Sequence, residues 1–457
     1  MPDTIVALAT PTGRSGIGVI RLSGERALTI ARRLTGDDGF APDPRTVHLR
    51  ELFDPRTRAL LDQAIITWFK APNSFTGEDV VEISCHGSPV LLRQVIDACL
   101  AENARLAGAG EFSLRALANG RMDLAEAEAI RDLIDAQSQA SARQAVRQLR
   151  GELSNELQPL KDDLLNIIVV LESALEFVED DLPAMQLEKV KETLTSIAAE
   201  TKRLADTFKA GHLIRDGLGV ALVGRPNVGK SSLFNALLAS DRAIVTEIPG
   251  TTRDQLHERF VISDIPISLI DTAGLRETSD TVESIGVERS KRAMTDADLV
   301  IVLLDASENV TDEDLEILDS VNELNYIVAL NKIDKVPSKE IDLGKTSNHA
   351  MMRDRLNPIS AKTGKGLDEL REAIIRPFAV SDIADAGFLI TDARHHDLLV
   401  RSHDEITHSL TQLREKLSEE IVLVGLHNAL RYLGEITGET TTEDMLTRIF
   451  STFCIGK

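Results

Sequence analysis

The chain has 457 residues, 43% hydrophobic and 4% aromatic, with 73 acidic against 51 basic side chains and a net charge of −22. That length predicts two to four domains, and the charge excludes tight unaided binding to nucleic acid unless a local basic patch or a basic partner supplies it. Three cysteines, Cys85, Cys99 and Cys454, lack CxxC spacing, which argues for a reducing compartment and against a structural zinc.

The opening Met1-Pro2-Asp3-Thr4 has neither a basic start nor an apolar signal core, and no apolar run reaches the ~18 residues of a membrane span. A soluble, cytoplasmic chain is expected. Residues 5–8, 18–22, 64–69 and 80–84 read as strands between Gly, Pro and Asn turns, and residues 90–100 as a helix. Residues 1–118 therefore read as an α/β or mostly β domain. The segment from Gly13 to Gly18 has the wrong glycine spacing for a dinucleotide fingerprint and leads into a strand, so it reads as a turn. Arg21, Asn73, Glu78, Asp79, Glu82 and His86 stand beside these turns. Glu82 alternates with Val81 and Ile83, which simple exposure explains, and Cys85-His86 adjacency does not match metal-ligand spacing.

From about residue 122 the periodicity becomes helical. Leu153, Leu157, Leu160, Leu164, Ile167, Leu171 and Leu175 advance in steps of four and three. Pro183 breaks the stripe; Leu187, Val190, Leu194, Ile197, Leu204 and Phe208 resume it. With acidic polar sides, such stripes predict bundle core rather than a cofactor or membrane face. The spacing returns in Ile406, Leu410, Leu413 and Leu417, so residues 119–215 and 379–457 read as two halves of one helical domain with a module, 216–378, inserted between them.

That module carries the most specific motif. The apolar run 219–223 leads into Gly224-Arg225-Pro226-Asn227-Val228-Gly229-Lys230-Ser231, a G-x-x-x-x-G-K-S loop followed by Ser232. Its glycines let backbone N–H groups wrap a phosphate chain at the positive end of the next helix. Lys230 can reach the β and γ phosphates and Ser231 can ligate Mg²⁺. Thr251-Thr252, in a Gly250-led loop preceded by Thr246, Glu247, Ile248 and Pro249, suits a switch that orders around phosphate and metal. Asp271-Thr272-Ala273-Gly274 ends a second strand, where a carboxylate can hold Mg²⁺ through water and a glycine N–H can meet the γ-phosphate. Asn331-Lys332-Ile333-Asp334 ends a third. Asp334 can accept two N–H donors from the Watson–Crick edge of guanine, a pair adenine lacks, and such sites discriminate by roughly 10⁴–10⁵. Ser360-Ala361-Lys362 supplies a loop for the guanine carbonyl. Together these signals predict a GTP site, inserted where nucleotide-driven motion can pass into the bundle.

Leu275 stands where Ras-type enzymes place the glutamine that orients the attacking water, which leucine cannot do. Either hydrolysis is slow or another group substitutes. Glu283, in a polar segment, is one candidate; a solvated charge is the simpler account. Asn227 offers a side-chain carbonyl where a monovalent cation would replace an arginine finger, an effect of about 10³–10⁵ in rate. The tail Phe453-Cys454-Ile455-Gly456-Lys457 lacks the aliphatic third position and usual last residue of a prenylation signal. Cys454 reads as an inert thiol or as part of a tail that enters an active site.

These motifs, with Asp3-Thr4-Ile5-Val6-Ala7, Gly16-Ile17-Gly18-Val19-Ile20-Arg21, Asn73-Ser74-Phe75-Thr76-Gly77-Glu78-Asp79, Gly110-Glu111-Phe112-Ser113, Asp123-Leu124-Ala125-Glu126-Ala127-Glu128-Ala129 and the terminal Cys-Ile-Gly-Lys, make the whole chain resemble the tRNA modification GTPase family MnmE (TrmE). The resemblance implies a multidomain α/β plus α fold: an N-terminal tetrahydrofolate-binding domain that also forms a homodimer, a discontinuous helical domain, and an inserted Ras-like P-loop G domain. It implies a GTP hydrolase that acts with a FAD-dependent partner, MnmG (GidA), to add an aminomethyl or carboxymethylaminomethyl group at carbon 5 of the tRNA wobble uridine. The carbon would come from 5-formyl- or 5,10-methylene-tetrahydrofolate, and the partner would carry most of the tRNA contact. Folate contacts would map to Arg21, Glu82, Arg121 and Lys457; Arg121 stands where relatives often carry Lys, a planar fork for a point charge. Potassium would be held by Asn227, Thr246, Ile248 (through its carbonyl) and Thr251, and Mg²⁺ by Ser231 and Thr252. Glu283 matches the residue that orients the hydrolytic water, and Cys454 matches the tail cysteine. A ribosome-assembly GTPase and a scaffold GTPase are competing readings, but the first needs a basic RNA-binding module and the flanking helices are acidic.

Overall fold

The computed structural model describes residues 3–176, 184–240, 257–271, 294–295, 297–336, 355–378, 387–440, 442–454 and 456. They form two compact units: Met1–Ile134, Val146–Thr201 and Leu398–Lys457 in one, Asp135–Ala145 and Lys202–Asp397 in the other.

The first unit contains strands β1 (Ile5–Leu8), β2 (Ile17–Ser23), β3 (Val47–Phe53), β4 (Leu60–Phe69), β5 (Val80–His86) and β6 (Arg105–Leu106), in the sheet order β3-β4-β5-β2-β1-β6. Only the β1–β6 pairing is parallel. Alternation along the strands sets the two faces. Ile20, Leu22, Ile66, Val81 and Ile83 pack with Ile30, Leu34, Leu92 and Val95 from the helices Ala27–Thr35 and Pro89–Ala101. Arg21 and Glu82 lie directly opposite each other in the β2–β5 register, on the other face. The four expected strands and the expected helix are present, β1 with the expected bounds and the others longer. Strand β3, which alternation did not reveal, is an edge strand with Val47, Leu49, Arg50 and Glu51 exposed.

In the helix Glu152–Glu176 the stripe behaves as its spacing predicts through Leu171: Leu153, Leu157, Leu160, Leu164, Ile167 and Leu171 are all buried, while Leu175, near the helix end, is half-buried. Val190, Leu194 and Ile197 are buried in the helix Ala184–Asp206. Two expectations are corrected. Phe208 opens a separate helix, Phe208–Arg215, rather than continuing the stripe. Leu417 lies beyond the helix Ala393–Arg414 and is exposed, because Lys416 turns left-handed at φ +59° and the Leu417 N–H bonds back to Gln412 O.

The second unit contains β7 (Leu218–Val223), β8 (His257–Ile262), β9 (Ile265–Asp271), β10 (Leu299–Asp305), β11 (Tyr326–Asn331) and β12 (Leu356–Pro358), in the order β12-β11-β10-β7-β9-β8. All pairings are parallel except β8 with β9. Every residue of β10 and β11 is buried, the unbroken apolar run expected when helices cover both faces of a parallel sheet. Leu233 and Leu237 of the helix Lys230–Ser240 and Leu370 and Ile374 of Leu367–Ile375 cover one face, and Leu318 of Asp312–Ser320 helps cover the other.

Candidate functional site

The phosphate loop is shaped by what cannot fit there. Strand β7 runs into Gly224, at φ +153°, where a Cβ would lie 2.5 Å from Leu303 O. Gly229 sits at φ +104°, where a Cβ would lie 2.3 Å from the Asn331 amide nitrogen. Between them Asn227 is held left-handed at φ +65°, exposed, while Val228 is buried. The helix Lys230–Ser240 opens immediately, so Ser231 and Ser232 occupy its first turn, where unpaired backbone N–H groups and the helix dipole attract anions. Lys230 folds back over the loop and donates to Gly224 O at 2.6 Å and Arg225 O at 3.0 Å.

Asn331 and Lys332, expected at the base site, are bonded to that loop. Asn331, buried at the end of β11, donates through Nδ2 to Val228 O at 2.9 Å and accepts from Ala361 N at 3.0 Å. One side chain thus joins the phosphate loop to the Ser360-Ala361-Lys362 loop. Lys332 donates to Asn227 O at 2.8 Å and to Asp305 Oδ2 at 2.5 Å. Asp334 is exposed, and its Oδ1 accepts from Ser360 Oγ at 2.6 Å. That hydrogen bond, with Lys362 and Lys335 nearby, holds the Asp334 carboxyl below its ordinary range, so it stands ionised as an acceptor. Burial pushes the Asp305 carboxyl upward, but Lys332 and Ser307 outweigh it and keep the group ionised. Asp305 was missed by the sequence reading. A carboxylate closing a wholly apolar strand was the available signal, because buried charges are seldom unpaired.

Thr246, Glu247, Ile248, Pro249, Gly250, Thr251, Thr252, Thr272, Ala273, Gly274, Glu283 and Lys457 lie outside the described residues, as does the side chain of Asp271.

In the first unit, Arg21 donates from Nε and Nη2 to Glu82 Oε1 at 2.9 and 2.7 Å and from Nη1 to Gly456 O at 3.3 Å. Its guanidinium lies 5.6 and 5.9 Å from the ring centres of Phe75 and Phe112. The C-terminal tail is seated by Phe450 and Phe453, buried with Leu124 and Ala127. Gly456 is required where it lies: φ is +100° and a Cβ would fall 2.4 Å from Leu8 O. The fold thus brings Arg21, Glu82 and the tail together across the length of the chain. Arg121 is exposed, with its stem beside Gly77, and among the described residues no hydrogen bond or ion pair joins it to Arg21 or Glu82. Cys454 is exposed, whereas burial pushes the Cys85 thiol up to about 12. A second cluster went unread in the sequence: Arg115, 1% exposed, pairs with Asp3, Glu78 and Glu111. It ties the chain start to the helix Glu111–Ala118.

Among the described residues no helix is long and apolar enough to cross a membrane. The family model described as GTP-binding protein TrmE N-terminus matches residues 4–121, and that of the MnmE helical domain matches residues 124–454. Three relatives named tRNA modification GTPase MnmE are similar over 100% of this chain and at least 99% of their own. Those of Koribacter versatilis (strain Ellin345), Aquifex aeolicus (strain VF5) and Clostridioides difficile (strain 630) are 44%, 42% and 40% identical. With similarity running from end to end, this chain belongs to the MnmE family of tRNA modification GTPases.

Proposed function

We propose that this GTP hydrolase of tRNA modification is stimulated by potassium and works with a FAD-dependent partner, MnmG (GidA), to build an aminomethyl or carboxymethylaminomethyl group on C5 of the wobble uridine. The observation that carries the reading is the bonding of the guanine-recognition residues to the phosphate loop, through Asn331 to Val228 and Lys332 to Asn227. It supports a pocket that holds base and phosphates as one rigid frame. Asp334 and the Ala361 loop receive guanine, while Gly229, Lys230 and the helix start receive the phosphates. Ser231 and Thr252 would hold Mg²⁺, with Asp271 through water. Asn227, Thr246, the Ile248 carbonyl and Thr251 would hold K⁺. When bound, these ions would supply positive charge beside the transferring phosphoryl group. Glu283 accepts a hydrogen bond from the attacking water and aligns it, the role Leu275 cannot fill.

The one-carbon folate belongs with Arg21, Glu82, Arg121 and Lys457. A guanidinium braced by a carboxylate and beside two aromatic rings suits a ligand that is both a flat heterocycle and an anion. We place this site in an N-terminal domain, 1–118, that also forms the homodimer. The helical halves 119–215 and 379–457 flank a G domain at 216–378.

The test compares GTP and ATP turnover in KCl and NaCl for wild type and Glu283→Ala. We expect GTP to be preferred, KCl to be faster, and Glu283→Ala to lose about 10²–10⁴ in turnover with GDP affinity kept. Equal rates in the two salts remove the potassium role, and unchanged turnover in the variant removes the role of Glu283. Unaltered wobble-uridine nucleosides in cells depleted of the protein remove the tRNA assignment.

A further inference from the structure

Strand β10 ends in Asp305, whose side chain is 3% exposed. Its Oδ1 accepts from Ser307 N at 2.9 Å and Ser307 Oγ at 2.6 Å, and its Oδ2 from Lys332 Nζ at 2.5 Å. The same ammonium donates to Asn227 O. Both Asn227 and Lys332 hold left-handed backbone, at φ +65° and +66°, a region that side chains with a Cβ enter at a cost and leave when nothing holds them. Lysine is a point charge on a flexible stem, so its own chain does not decide where Nζ rests. A buried carboxylate opposite it does.

We infer that Asp305 is a positioning residue. It aims Lys332 at the Asn227 carbonyl and so keeps the phosphate loop in the shape that receives nucleotide. Asp305 touches neither base nor phosphates in this role; it acts through Lys332. The inference rests on the reading of this pocket as the nucleotide site.

The test is equilibrium binding of a fluorescent GDP analogue to the full-length chain. Asp305→Asn keeps the size of the side chain and an acceptor for Ser307 but removes the charge opposite Lys332. We expect roughly tenfold weaker binding, the loss of one charge-assisted hydrogen bond. Turnover at saturating GTP should change less than KM. Lys332→Met should weaken binding as well, and the Asp305→Asn/Lys332→Met double variant should bind no more weakly than Lys332→Met alone, since both break one chain of contacts. Ser307→Ala, which leaves the Lys332 pair intact, should bind as wild type does. Additive losses in the double variant, wild-type affinity in Asp305→Asn, or a Ser307→Ala loss equal to that of Asp305→Asn would each overturn the inference. If the wild type itself does not bind GDP, the nucleotide reading of the pocket fails instead.

Discussion

Asp334 shows how much of a specificity can hang on one carboxylate. It is exposed, held ionised by Ser360, and carried on the 3-10 turn Ile333–Lys335 that follows strand β11, whose last residue, Asn331, is bonded to the phosphate loop. In the proposed site guanine would offer it two N–H donors. Asp334→Asn replaces one acceptor by a donor, which suits xanthine, where a carbonyl stands in place of the amino group. The expected result is a fall of about 10³ or more in the ratio of kcat/KM for GTP over xanthosine triphosphate, read in a competition assay. An unchanged ratio removes Asp334 from base recognition. These residues were legible because the chemistry fixes both their type and their spacing. Asp305 was not, because its importance lies in meeting Lys332, which is 27 positions away in the chain.

At the scale of an element, the helix Glu152–Glu176 is the clearest case of pattern becoming packing. Leu164 is fully buried on its stripe, while Asn166, two residues on, is exposed. Leu164→Ala should therefore destabilise the protein by about 2–5 kcal/mol, lost transfer energy plus a cavity. Asn166→Ala should stay within about 0.5 kcal/mol of wild type. Urea unfolding distinguishes them, and equal midpoints would contradict the assigned face. Leu417 marks where periodicity stops being informative. Its spacing continues the stripe of Ile406, Leu410 and Leu413, yet the left-handed Lys416 ends the helix first. Edge strand β3 escaped notice for a different reason: its apolar Val47 and Leu49 fall on the exposed side while Leu52, on the opposite parity, is buried, so apolar spacing does not mark its core face.

For the whole molecule, the net charge of −22 sets what it can do alone. We expect the isolated chain to bind tRNA weakly and its complex with the proposed FAD-dependent partner to bind tightly, with the salt dependence carried by the partner's cations. Titration of labelled tRNA over 50–200 mM KCl reads this directly, and tight binding by the chain alone would overturn it. The sequence by itself determined the family, the fold class and the phosphate loop, because glycine spacing, apolar period and acceptor placement are local requirements that leave local traces. Only the tertiary structure decided that Arg21 meets Glu82 and the Gly456 carbonyl, that Arg115 gathers Asp3, Glu78 and Glu111, and that Asp305 holds Lys332. All of these except the Arg115–Glu111 pair, four residues apart on one helix, join residues on different elements, and which partner a buried cation meets there is set by how strands and helices pack rather than by the residues beside it in the chain.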